Sequence, residues 1–92
     1  MTLPVIWQQT ARDDMAALIH FVAEQNPYAA RELKLRIEGA AQSLAEFPYR
    51  AQKGRVSGTR ELLAHPNYWV IYQVTIAAVE IVAILHVRRE YP

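Results

Sequence analysis

The sequence predicts one two-layer α+β domain in which a helical hairpin packs on an antiparallel sheet. Three observations carry this. Between about residues 10 and 46, apolar side chains recur every three or four positions, the period of a helix. Between about 60 and 88 the pattern becomes three strand-like runs separated by short reversals. A brief apolar run, Leu3-Pro4-Val5-Ile6-Trp7, precedes the helices, so the order is β-α-α-β-β-β over residues 1–92.

The opening strand tolerates Pro4 only at a sheet edge or at its first residues. Thr10 starts the first helix, and Thr10-x-x-Asp13 fits a capping box, with Asp13 and Asp14 at the positive end of the helix dipole. Ala11, Met15, Leu18, Ile19 and Val22 form its apolar face. Asn26-Pro27 ends this helix and begins the next, because proline restricts the residue before it and suits the first helical position. The second helix is predicted from Tyr28 to Glu46, with Ala30, Leu33, Ile37, Ala40, Ala41 and Leu44 inward. Gly39 weakens it by ~1 kcal/mol, which suggests a close helix approach. The short link makes the two helices an antiparallel hairpin.

Residues 48–59, PYRAQKGRVSGT, read as irregular. Strands follow at 60–65, 68–75 and 79–88, with Pro66-Asn67 and residues 76–78 as reversals. If the first strand points up, the helices go down and up and the next strand points down. Alternation puts Val79, Ile81, Ala83, Leu85 and Val87 on one face, expected against the helices. Glu80, Val82, Ile84, His86 and Arg88 occupy the other. In the preceding strand Arg60 and Leu62 share one face, and Glu61, Leu63 and His65 the other.

A chain of 92 residues with 52% hydrophobic and 21% charged residues has ordinary globular values, which argues against disorder. No apolar run approaches the ~18 residues of a membrane span, and no signal peptide is visible. The lack of cysteine suits the reducing cytoplasm. The net charge of +1 is too small to demand nucleic-acid binding, although residues 50–92 hold six basic against three acidic groups.

His20, His65 and His86 are far apart and lack ligand spacing, so no metal site is expected, and no cofactor. Ser43 and Ser57 stand in no nucleophile motif, and Gly54 and Gly58 precede a strand rather than a helix. What remains is basic and aromatic: Arg50, Lys53, Arg55, Arg60, His86, Arg88, Arg89 and Tyr91. Metal-free RNA cleavage needs a base, an acid and cations for the phosphate, and His, Tyr and Arg supply such groups. Taken alone, the loop charges also read as ordinary solvated side chains. Tyr91 serves a partner contact as well as it serves acid catalysis.

The segments GTRELLAHPNYWVIYQV (58–74) and VEIVAILHVRREYP (79–92), with the opening strand and hairpin, make the chain similar to the RelE/ParE superfamily of type II toxin–antitoxin toxins, most to the ParE branch. The resemblance implies a RelE/ParE-like fold and a growth-inhibiting toxin neutralised by a cognate ParD- or RelB-like antitoxin whose extended and helical segment wraps it. ParE-like members poison DNA gyrase; RelE-like members cut mRNA in the ribosomal A site and are typically more basic. The low charge favours the gyrase reading. The nuclease reading would use His86, Arg88 and Tyr91 as catalytic groups. Under either, Arg50, Lys53, Arg55, Arg60 and Arg89 are candidate contacts to target or antitoxin. A third reading is a toxin fold that has lost toxicity and only binds antitoxin.

Overall fold

The computed structural model describes residues 2–92. Helices α1 (Gln9–Gln25) and α2 (Pro27–Ser43) pack on a five-stranded sheet of order β1-β5-β4-β3-β2. The strands are β1 (Val5–Trp7), β2 (Gln52–Lys53), β3 (Arg60–His65), β4 (Tyr68–Val74) and β5 (Val79–His86). The expected β-α-α-β-β-β order holds, with the two-residue β2 added inside the stretch expected to be irregular.

That small strand changes the direction count. The chain leaves α2 into β2, so β3 points opposite to the expected direction. One further reversal makes β5 run parallel to β1, with Val5 opposite Val79 and Trp7 opposite Ile81. The other pairings are antiparallel. The loop between β2 and β3 is tight. Gly58 has φ 84°, a left-handed conformation that glycine adopts without a Cβ penalty. A Cβ on Gly54 would run into the Thr59 hydroxyl.

The helix hairpin forms as the apolar periods require. Asn26 caps α2 by accepting a hydrogen bond from the Ala29 N–H at 3.1 Å, and Pro27 occupies the first turn. Ala11 and Met15 from α1 meet Leu33, Ile37, Ala41 and Leu44 in a core completed by Leu62, Val70, Tyr72, Val79, Ile81 and Ile84 from the sheet. Gly39 departs from expectation. It is exposed, and a Cβ there would meet nothing within 4 Å, so no close helix approach inside the domain accounts for it.

Two irregularities overturn the simple strand alternation. In β5, Tyr72 faces Ile81 and Ile71 faces Ala83, which leaves Val82 as an extra residue. Ile84 and His86 therefore join Val79 and Ile81 on the helix side, whereas Ala83, Leu85 and Val87 turn away. In β3, Leu63 faces Trp69 and His65 faces Tyr68, so Ala64 is extra and His65 also returns to the helix side.

The predicted capping box does not form. Gln8 is the N-cap and makes no side-chain cap bond. Instead the Thr10 hydroxyl donates to the Val82 carbonyl at 2.7 Å, and the Asp14 carboxylate accepts from the Ile84 N–H at 3.0 Å. Helix α1 thus satisfies the β5 edge where the short β1 has ended and the bulge has left backbone groups open. No helix among the described residues is long and apolar enough to cross a membrane.

Candidate functional site

The polypeptide from Tyr49 to Arg60 and the C-terminal residues hold most of the sequence-predicted candidates. Lys53 and Arg60 are direct cross-strand partners in the β2–β3 ladder. Like charges in this position repel. No carboxylate lies within ion-pair distance of either, since the ion pairs among the described residues are His20–Glu24 and Arg55–Glu61. Arg60 is held from below: its guanidinium donates to the Ala51 carbonyl at 2.8 Å and lies 4.9 Å from the centre of the Tyr49 ring. Arg50 donates to the Ser43 hydroxyl at 2.8 Å. A shallow cavity of about 320 Å³ lies between Tyr49, Lys53, Ser57 and Arg60. The sheet end is thus a fixed cationic patch suited to an anionic partner.

Arg55 behaves differently. Its backbone N–H and its Nε both donate to one carboxylate oxygen of Glu61, at 2.9 and 3.1 Å. Glu61 is the one buried charged residue among the described residues, 3% exposed. Burial opposes its ionisation, but the bonds and charge of Arg55, with help from Gln52, outweigh this and hold the carboxyl below the usual range. The Arg55 guanidinium also lies 5.3 Å from the centre of the Tyr91 ring, which ties the C-terminal residues to the β2–β3 loop. Arg88 and Arg89 are exposed beside this tie.

His86 sits elsewhere. It stacks edge-on with Tyr68, which touches His65 on its other side, at centroid distances of 5.3 and 5.6 Å. Tyr68 packs against the helix-side core. His86 is therefore on the helix side, whereas Glu61, which anchors the Arg55–Tyr91 contact, lies on the opposite face of the sheet. The Nδ1 of His86 accepts from the Arg88 N–H at 3.1 Å, and that of His65 from the Asn67 N–H at 3.0 Å. A neutral ring that accepts at Nδ1 carries its proton on Nε2, so His86 in this arrangement offers a donor rather than a base. The His86 and Tyr91 rings thus have different neighbours, Tyr68 for one and Arg55 for the other. His20 is exposed and 3.6 Å from Glu24.

A second region lies at the opening strand, which its sequence already allowed as a sheet edge, and the groove beside it is new. β1 is an edge strand, and an apolar groove of about 770 Å³ runs beside it, floored by Met15, Ala16 and Ile19 and rimmed by Arg12, His20 and Lys34 with Glu38. Pro4 and Gln8 direct their backbone bonds toward β5, so by alternation the backbone groups of Val5 and Trp7 point outward. The signal available in the sequence was the shortness of the run Val5–Trp7, too brief to cover the longer β5.

A helical hairpin on one face of this sheet, with a basic loop at one end, is the arrangement expected of a RelE/ParE-like fold. Residues 5–91 match the family described as the ParE toxin of the type II toxin–antitoxin system parDE, and the chain belongs to that family. It is 37% identical over 87 residues to Toxin RelE2 of Caulobacter vibrioides, covering 92% of this chain and 96% of that protein. It is 34% identical over 73 residues to the putative toxin Y4kP of Sinorhizobium fredii, covering 78% and 75%. Among solved structures, a chain of the chromosomal ParDE system from P. aeruginosa superposes with TM-score 0.82 at 20% identity, over 95% of this chain and 98% of that one. The E. coli DinJ–YafQ toxin–antitoxin complex gives TM-score 0.58 at 12% identity, over 94% and 93%. The protein is the toxin component of a type II toxin–antitoxin system.

Proposed function

We propose that this toxin arrests growth by binding DNA gyrase without catalysing a reaction, and that a cognate ParD- or RelB-like antitoxin holds it inactive in the cytoplasm. The observation that supports the non-enzymatic reading is that its candidate acid and base groups are engaged with different partners. His86 has its Nδ1 committed to the Arg88 N–H on the helix side, and Tyr91 stacks on Arg55. General acid–base cleavage needs both groups within hydrogen-bond reach of one phosphate. The exposed cations Arg50, Lys53, Arg88 and Arg89 then serve as contacts to the target, and Arg60 and Arg55 fix the surface that carries them. The antitoxin is assigned to the other end of the molecule, where an extended segment adds to the open edge of β1 and places apolar side chains in the groove.

Induced expression with parallel labelling of DNA and protein synthesis tests this. Loss of DNA synthesis with DNA breaks and filamentation, while bulk translation continues, is the expected result. Early translation arrest would overturn it. One observation favours a second reading, ribosome-dependent mRNA cleavage: the Lys53/Arg60 pair has no carboxylate partner and would suit a phosphate. Codon-phased cleavage on programmed ribosomes, abolished by His86→Ala with Arg88→Ala, would establish that alternative. Antitoxin binding without any growth arrest would identify a toxin fold that has lost its activity.

A further inference from the structure

Lys53 and Arg60 face each other directly across the β2–β3 ladder, so their side chains leave the sheet on the same face. Their Cβ atoms are then about 5 Å apart, a spacing at which two like charges destabilise a sheet. Neither has a carboxylate within ion-pair distance among the described residues. The nearest one in sequence, Glu61, points to the opposite face and is taken by Arg55. Arg60 is also not free to swing away from Lys53. Its guanidinium is tied to the Ala51 carbonyl and lies over the Tyr49 ring. The stretch that carries both is itself anchored, since the fully buried Tyr72 donates its hydroxyl to the Pro48 carbonyl at 2.8 Å. Ser57, Gly58 and Thr59 complete the cavity of about 320 Å³. Their turn is closed by the Thr59 N–H and hydroxyl, which both donate to the Val56 carbonyl, at 3.1 and 2.6 Å. No hydrogen bond among the described residues uses the backbone N–H of Ser57 or Gly58.

We infer that this cavity is a binding site for a doubly charged phosphoryl group, as carried by inorganic phosphate or by the terminal phosphate of a nucleotide. Two adjacent positive charges without a carboxylate match a phosphate dianion. An internal phosphodiester of a nucleic acid carries a single negative charge and matches them less well. The like-charge pair is a liability on its own and becomes the recognition element once an anion lies between the ammonium and the guanidinium. Arg60 presents its remaining N–H donors as a held fork, and Lys53 adds a point charge on a flexible stem. The Ser57–Gly58 turn offers neutral N–H donors beside them. Filling this site requires neither a target nor an antitoxin, so it stands apart from the gyrase reading.

Calorimetric titration of the purified toxin tests this, with chloride replaced by each probe at constant ionic strength. The probes are inorganic phosphate, a nucleoside 5′-monophosphate and a dinucleoside monophosphate, whose only phosphate is a diester. The first two are expected to fill one saturable site, and the diester to bind at least about tenfold more weakly. Equal affinities for the first two support a site for the phosphoryl group alone; a tighter nucleotide supports one that extends to the exposed Tyr49 ring. Lys53→Gln is expected to weaken phosphate binding by at least about tenfold. In phosphate-free buffer the same variant should keep or raise the Tm, because a repulsion has been removed. Absence of saturable binding, equal binding of the diester, or unchanged phosphate affinity in Lys53→Gln would overturn the inference. A lower Tm for Lys53→Gln in phosphate-free buffer would overturn it too, since the pair would then be stabilising without an anion.

Discussion

Glu61 shows how one buried carboxylate can organise an irregular stretch of chain. Its oxygen takes both the backbone and the side chain of Arg55, and Arg55 then supports Tyr91. Removing Arg55 leaves a buried anion without its main partner, and that penalty is larger than the gain from the pair. Arg55→Ala is expected to cost about 1–3 kcal/mol, less than a fully enclosed pair because water reaches the 43% exposed Arg55 side chain. Urea unfolding checks this. The same variant should raise hydrogen exchange in the β2–β3 loop, which loses the side-chain bond from Arg55 to Glu61 and the contact with Tyr91.

His65 makes a separate prediction. Burial first, and then the charge of Arg36 on α2, lower its pKa from the ordinary 6.5. Tyr68 and, beyond it, His86 are the other titratable groups on this side. Protonation would also convert the Nδ1 that accepts from Asn67 into a donor. The folded pKa lies below the unfolded one, so the unfolded chain binds the proton first. The contribution to stability is thus full above about pH 6.5 and is lost as pH falls through the folded pKa. Between pH 7.5 and 5 the wild type should lose more stability than His65→Gln. Equal pH dependence in urea midpoints would count against this role for the ring.

At the scale of elements, α1 does more than bury an apolar face. Thr10 and Asp14 take the carbonyl of Val82 and the N–H of Ile84, so the helix continues the edge that β1 leaves unfinished. Asp14→Ala is expected to cost about 1–2 kcal/mol, with faster hydrogen exchange at Ile84 in particular. The helices and the three longer strands were legible because burial imposes a period on many residues at once. Ala11, Met15, Leu33, Ile37 and Leu44 all face the core as their spacing requires. The bulges at Ala64 and Val82 were not legible, since each inserts one residue without changing composition. One extra residue in each strand reversed the face of His65 in β3 and of Leu85 and Val87 in β5. Thr10 and Asp14 looked like helix-capping residues because their tertiary partners lie about 70 positions away. The reversal at residues 76–78 has poor turn residues, yet the Thr75 hydroxyl accepts from the N–H groups of Ala77 and Ala78 and closes it. The cationic candidates were legible as a group, but whether each was paired depended on the register of a two-residue strand.

Across the whole molecule, the two proposed contact regions lie at opposite edges of the sheet. β1 and the groove beside it flank one edge; β2, its loop and the tied C-terminal residues form the other. A protein of this size that must be both toxic and neutralised gains from such a division, because its parts can be altered independently. Deleting residues 88–92 removes Arg88, Arg89 and the Tyr91 contact but leaves the helix-side core and β1 untouched. The truncated chain should therefore fold, with a Tm lowered by only a few degrees, since one exposed stacking contact is worth roughly 0.5–1 kcal/mol. Its affinity for the antitoxin should stay within about threefold of wild type, a change of less than 1 kcal/mol. Growth inhibition on induction should fall sharply, because the target contacts have been removed. If growth arrest persists while antitoxin binding is lost, the two edges have been assigned the wrong way round. Calorimetric titration of the two chains and growth curves from the same expression strain decide between these outcomes.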